Sequence, residues 1–333
     1  MFEDSPLIDP LPNVPLNQFP QSDELPEGCK VLDGLVDNGL CQVEYREATY
    51  VVRDTPSGPV ARKLYVLVPS PADPLVARYP EGGYPCVVFC QGSAWHEQHL
   101  YNHFADHVWL AQRGYVVASV QYRESDIAPF PAQMQDFKTA IRYLRLHADE
   151  LCLDPERIGA WGDSSGAHTV LLAAYTATGP TTTTAEGTVV ELDTPTYAGT
   201  SAEVRCVVDW YGPTVFDQMN RYPSAQDHTA PTSPEGFVLG KRDVLGHPDW
   251  VAAASPISYV MPLDNLVLPP TLIMHGDRDQ LVSFNQSVRL YRALRDAGQN
   301  VTFYKVAGAN HGRAGFRCAR ALEVVEQFLR AYL

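Results

Sequence analysis

Residues 157–174 read RIGAWGDSSGAHTVLLAA, and the turn inside this stretch decides the expected fold. A short apolar run, Ile158 to Trp161, leads into Gly162-Asp163-Ser164-Ser165-Gly166, and a small-residue, leucine-rich segment of helical character follows. Gly-x-Ser-x-Gly between a strand and a helix is the pattern of a nucleophile elbow. The reason is steric. A serine on a sharp strand-to-helix turn has a strained backbone, so its flanking positions must be nearly bare, and glycine at 162 and 166 lets strand and helix approach. The turn holds the Ser164 hydroxyl above the sheet and aims the first helical N–H groups at the same point.

Outward from the elbow, strand and helix patterns alternate. Gln42 to Arg53 and Val60 to Val68 read as two strands joined near Pro56-Ser57-Gly58, an antiparallel opening hairpin. Continuous apolar runs at Pro85 to Cys90 and Tyr115 to Tyr122 suit strands buried on both faces, with a helix near Asn102 to Arg113 between them. Pro131 opens an amphipathic helix with Met134, Phe137, Ala140, Ile141, Leu144 and His147 along one face. Beyond the elbow, Val204 to Asp209, Thr271 to His275 and Val301 to Val306 read as strands, and Phe284 to Ala297 and Arg317 to Tyr332 as helices. This alternation means a mainly parallel sheet with helices on both faces and sites at the carboxyl ends of its strands.

Three stretches break the alternation. Residues 1–38, with prolines at 6, 10, 12, 15, 20 and 26, read as an arm over the surface. Residues 178–203, with four consecutive threonines from Thr181, read as a surface excursion. Residues 214–256, without strand signals and rich in Pro, His and aromatics, read as a small inserted cap or lid. Residues 39–333 are therefore expected to form one domain with an inserted cap.

The formal net charge of −14 over 333 residues argues against nucleic acid as a partner, and no run approaches the length of a membrane span. Seven scattered cysteines without a C-x-x-C pair suit buried free thiols in a reducing compartment. The start MFEDSPLIDP has neither a basic nor an apolar signal region, so a cytoplasmic protein is expected. Homo-oligomerisation is left open.

A serine hydroxyl is a poor nucleophile near pH 7 and needs a base oriented by a third group. After the strand ending at His275-Gly276 come Asp277 and Asp279, and after the last strand comes His311. Either aspartate fits as the acid by position. Ser164, acid and His311 each fall beyond the carboxyl end of a separate strand, so His311 is expected to deprotonate Ser164. The Ser165 amide is expected to be one donor to the oxyanion, and the loop at 91–95, QGSAW, to supply another. His99, His103 and His107, at helical spacing near Asp106, suggest a zinc row, but no H-E-x-x-H context accompanies them and serine chemistry needs no metal; no metal or cofactor is expected. Asp163 and His168 are read as structural, Arg123 and Asp136 as scaffold. Trp95, Tyr211, Trp250 and Phe284 are candidate pocket walls.

Together the QGSAW loop, YRESDIAPFPAQMQD (122–136), DPERIGAWGDSSGAH (154–168), DWYGP (209–213), HGDRDQLV (275–282) and GANHG (308–312) carry a resemblance. The chain resembles the esterase/lipase branch of the α/β-hydrolases, which includes hormone-sensitive-lipase-like carboxylesterases, and more closely bacterial acetylxylan and feruloyl esterases. The resemblance implies the α/β-hydrolase fold and a serine carboxylesterase acting on a small-molecule ester, short-chain or aryl-acyl, of acetyl or feruloyl type, with sugars among the alcohols. The family's oxyanion loop is His-Gly-Gly-Gly-Trp. Here Gln91 replaces the His and Ser93-Ala94 the last two glycines, so Ser93 and Ala94 inherit the amide-donor role by position. The family's His-Gly-x-x-Asp-x-x-Val selects Asp279 over Asp277. A prolyl-oligopeptidase-like peptidase shares fold and triad but usually carries a gating domain that this length does not encode. A non-catalytic ligand-binding relative would typically have lost part of the triad.

Overall fold

The structure is a computed structural model and describes residues 9–10, 14, 18–32, 40–70, 79–179, 181–184 and 186–333. Among these, eight strands form one sheet: β1 (Gln42–Thr55), β2 (Gly58–Ser70), β3 (Tyr84–Cys90), β4 (Val116–Val120), β5 (Leu153–Asp163), β8 (Val207–Trp210), β9 (Thr271–Gly276) and β10 (Val301–Val306). Their order is β1-β2-β4-β3-β5-β8-β9-β10. β2 pairs antiparallel with both β1 and β4, and every pairing from β4 to β10 is parallel. This is the expected α/β-hydrolase arrangement, with the hairpin at one edge.

The apolar runs are continuous because the parallel strands are covered on both sides. Along β3, Val87 and Phe89 face one cluster and Val88 and Cys90 the other. Helices α1 (Phe104–Ala111) and α7 (Ala319–Tyr332) cover the first face. Helices α2 (Ala132–Leu146), α3 (Ser165–Tyr175) and α6 (Asn285–Asp296) cover the second, and Phe137, Ile141 and Leu144 of α2 are buried there as their spacing predicts. α1 is shorter than its sequence pattern, and α7 starts at Ala319 rather than Arg317. Arg123 and Arg53 both bond the buried Asp136, at 2.8 and 2.9 Å, tying the end of β4 and the opening hairpin to α2.

The excursion at 178–203 is more than surface. β6 (Thr181–Thr183) and β7 (Val189–Glu191) form a second, two-stranded antiparallel sheet, and Val190 and Leu192 are buried. The buried Lys138 anchors the segment by donating to the carbonyls of Thr176 and Leu192. Most of residues 1–38 lie outside the described residues; those at 18–32 are all exposed and contain no strand. The 214–256 segment has two short helices, α4 (Pro234–Val238) and α5 (Pro248–Ala254), and no strand. Cys86, Cys90 and Cys206 are buried free thiols, whereas Cys29 and Cys318 are exposed, contrary to the expectation for the whole set. Among the described residues no helix is long and apolar enough to cross a membrane.

Candidate active site

Ser164 sits between β5 and α3 with φ 52° and ψ −127°, a left-handed backbone unusual for a residue with a Cβ. Two close approaches explain its neighbours. A Cβ on Gly162 would fall 2.6 Å from the Ala167 amide, and one on Gly166 would fall 2.1 Å from the Cys90 carbonyl oxygen. Both obstacles are backbone, so neither can step aside. The Ser164 amide donates to the Trp210 carbonyl at 2.8 Å, which pins the turn to β8.

Loops after β9 and β10 bring two further side chains to the serine. His311 Nε2 lies 2.9 Å from Ser164 Oγ, and His311 Nδ1 lies 2.7 Å from Asp279 Oδ2. Asp279 is fully held: Oδ1 accepts from the amides of Leu281 and Val282, each at 2.9 Å, and His275 Nε2 lies 3.2 Å from Oδ2. Burial alone would raise its pKa; the hydrogen bonds from His275 and His311 outweigh that and hold it at about 2. Asp277 faces elsewhere, accepting from the Gly308 amide at 2.7 Å. Tyr211 packs behind the His311 ring, centroids 4.6 Å apart.

The oxyanion side needs one correction. The Ser93 amide already donates to Ser165 Oγ at 2.9 Å, and the Ser93 hydroxyl donates to the His96 carbonyl at 2.6 Å, so Ser93 braces the loop instead of facing the serine. Ala94 and Ser165 both line the cleft at Ser164, and among the described residues neither amide has a hydrogen-bond partner. The free donor pair is therefore Ala94 and Ser165. Asp163 fixes the loop from below by accepting from the Gly92 amide at 2.7 Å. Burial would raise the Asp163 pKa, but His103, with Nε2 3.5 Å away, lowers it overall.

The cleft is small, about 50 Å³, well below the usual size of a ligand site. Trp95 lines it, as expected, and its Nε1 donates to His168 Nδ1 at 3.1 Å. Neither Tyr211 nor Trp250 lines it. Tyr211 is spent supporting His311, and the Trp250 ring lies under the Arg242 guanidinium at 4.4 Å. Phe284 stacks on Phe303. A larger cavity of about 260 Å³ lies under Val244, Val251 and Ile257 and touches none of Ser164, Asp279 and His311.

His168 is buried and bridges two regions, accepting from Trp95 and donating from Nε2 to the Ala254 carbonyl at 2.7 Å. Burial lowers its pKa to about 4, so it is a neutral structural group. Of the histidine row, His103 is held by Asp106 and Asp163, His107 is bonded to Tyr65, and His99 is exposed; the three do not converge.

Sequence reasoning missed four groups. His275 was legible in principle, four residues before Asp279 in the HGDRDQLV run. The Ser165 hydroxyl leaves no mark in the sequence, because its partners are the backbone amides of Ser93 and Trp95. His228 and Glu235, which also line the cleft, carry no motif and are found only once the chain is folded.

A family model described as BD-FAE matches residues 75–294. Among curated proteins, Esterase LipQ of Mycobacterium tuberculosis is 31 % identical over 226 residues, 66 % of this chain and 48 % of that protein. The chain spans about half the length of the curated relatives it matches first. A truncated carbohydrate esterase from gut microbiota superposes with a TM-score of 0.75 at 29 % identity, covering 89 % of this chain and 98 % of that one. A bifunctional GH43-CE protein of Bacteroides eggerthii gives a TM-score of 0.71 at 30 % identity, over 81 % of this chain and 33 % of that one.

Proposed function

The chain belongs to the BD-FAE family of α/β-hydrolases, and from that premise we propose that it is a serine carboxylesterase releasing short-chain or aryl-acyl groups, of acetyl or feruloyl type, from sugar-like alcohols. The observation that carries the reading is the unbroken relay from Asp279 through His311 to Ser164, with contacts of 2.7 and 2.9 Å. Ser164 Oγ attacks the ester carbonyl while His311 Nε2 takes its proton, and the Ala94 and Ser165 amides stabilise the charge that develops on the carbonyl oxygen. The tetrahedral species collapses to an acyl-serine as His311 protonates the leaving alcohol. Water, deprotonated by the same nitrogen, then releases the acid. Asp279, kept ionised by its partners, holds the imidazole tautomer and offsets the imidazolium charge. No metal or cofactor has a part in this scheme.

The likeness to a carbohydrate esterase over nearly the whole of that chain supports a sugar as the alcohol, and the modest cleft supports a small acyl group. The 214–256 segment acts in this reading as a cap that completes the cleft. The test is hydrolysis of p-nitrophenyl acetate by Ser164→Ala. Turnover should fall by about 10⁴-fold or more while the melting temperature stays near that of the parent; a variant that keeps its rate removes Ser164 as nucleophile.

A further inference from the structure

The cleft before Ser164 has a second polar wall that ester hydrolysis does not use. Gln226, His228 and Glu235 line it, beside Leu281 from the loop that holds Asp279. Both ring nitrogens of His228 face acceptors: Nδ1 is 2.9 Å from Glu235 Oε2, and Nε2 is 3.0 Å from the Leu281 carbonyl. The Ser224 hydroxyl lies 3.0 Å from Nε2 and 2.9 Å from that same carbonyl, so it shares this end of the ring. Nδ1 donates to Glu235 whichever bond Nε2 makes, and the carboxylate beside it favours the imidazolium form. Burial opposes that charge and Glu235 more than offsets it, raising the His228 pKa.

His228 and Glu235 are each 2 % exposed. A buried ion pair stabilises a fold no better than well-packed apolar residues, so stability is a poor reason to keep one beside a substrate cleft. One end of the pair is also unspent. Glu235 Oε1 has no hydrogen-bond partner among the described residues and is not sealed from solvent. The half-buried side-chain amide of Gln226 likewise bonds nothing among the described residues.

We infer that Gln226 and Glu235 form a subsite for a free hydroxyl next to the acyl group, so that the substrate class is a partially acylated sugar or polyol. The hydroxyl donates to Glu235 Oε1 and accepts from the Gln226 amide, and His228 is a positioning residue that holds the carboxylate. An ionised acceptor makes the stronger kind of hydrogen bond, and the same groups left unpaired penalise an ester without the hydroxyl. The inference rests on the esterase reading above and names its substrate more narrowly.

Two synthetic substrates that differ at one oxygen test it: methyl β-D-xylopyranoside with one acetyl group beside a free hydroxyl, and the same compound with that hydroxyl methylated. p-Nitrophenyl acetate serves as the reference ester. The parent should favour the free hydroxyl by about tenfold or more in kcat/KM, and Glu235→Gln and Gln226→Ala should each cut the preference to about threefold or less. Gln226 is not part of the packed core, so Gln226→Ala gives a reading even if Glu235→Gln does not fold. Equal rates on the two glycosides, in a parent that hydrolyses p-nitrophenyl acetate, overturn the subsite and leave the esterase reading standing. An unchanged preference in both variants also overturns it. A parent that hydrolyses none of the three esters overturns both readings together.

Discussion

The strand ends that carry Ser164, Asp279 and His311 are built differently from the 214–256 segment that faces them. At the strand ends, backbone does the fixing: the Ser164 turn is bonded to Trp210, the Asp279 carboxylate to two amides, and the amides of the 91–95 loop to Asp163 and Ser165. In the facing segment, short helices and turns hold side chains through other side chains, as in the pair of His228 and Glu235. The first region suits the positional precision of about 0.5 Å that bond-making needs. The second can vary its polar groups without disturbing the first, which suits selection among substrates.

The largest expected effect separates two aspartates of one loop. Asp279→Asn should lower kcat by about 10³- to 10⁴-fold, because an amide stabilises the wrong imidazole tautomer and no imidazolium. Asp277→Asn removes the same charge two residues away, from a carboxylate that bonds the Gly308 amide, and should change kcat by no more than about threefold. Steady-state kinetics on p-nitrophenyl acetate decide it. A larger loss from Asp277→Asn would mean that the backbone-fixed geometry is not the one the proposed esterase uses.

The same contrast explains what could be read from sequence. Gly162 and Gly166 were legible because a Cβ at either would strike backbone, so the turn leaves a mark on residue type. Asp279 and His311 were legible because each follows a strand whose end is easy to place, the buried β9 for one and the alternating, half-buried β10 for the other. Ser93 was misassigned because position along the loop does not say which amide the Ser165 hydroxyl captures. Tyr211 and Trp250 were misassigned as cleft walls because an aromatic at a strand end can pack behind the site as readily as in it. The strands β6 and β7 were hidden by a composition of threonines and acids, since Lys138 anchors that segment through backbone carbonyls and only Val190 of the six strand residues is buried.

Asp209, near the end of β8, is a fully buried carboxylate that the strand ends leave only half paired. Its Oδ1 accepts from the Gly212 amide at 2.8 Å, and its Oδ2 has no partner among the described residues. Burial pushes its pKa from 3.8 up to about 7. Between those values the folded protein binds a proton that the unfolded chain has released, so stability falls as pH rises and the full loss is reached above pH 7. Asp209→Asn keeps the acceptor for Gly212 and has no proton to lose. Its melting temperature relative to the parent should therefore climb from pH 4 to pH 8, by at most about 4 kcal/mol in stability, the ceiling set by the gap between 3.8 and about 7. A constant difference across that range would show that Asp209 is not the group responsible.

The smallest effect tests how much of the backbone-fixed region depends on one hydroxyl. Ser165 Oγ accepts from the amides of Ser93 and Trp95 at 2.9 and 3.2 Å, on either side of the Ala94 amide that faces the cleft. Ser165→Ala preserves the residue's own amide and its place at the start of α3, and removes only this clasp. Two N–H groups then lose their acceptor, at a cost of about 2 kcal/mol in stability. The Ala94 amide is also less firmly aimed, so kcat should fall about tenfold with KM nearly constant, because the loss is felt where charge develops on the carbonyl oxygen. Replacement by threonine keeps a hydroxyl at the same carbon and should recover much of the rate. If Ser165→Ala instead raises KM at constant kcat, the hydroxyl shapes the ground-state cleft, and the line between a rigid chemical half and an adaptable recognition half runs through Ser165 itself.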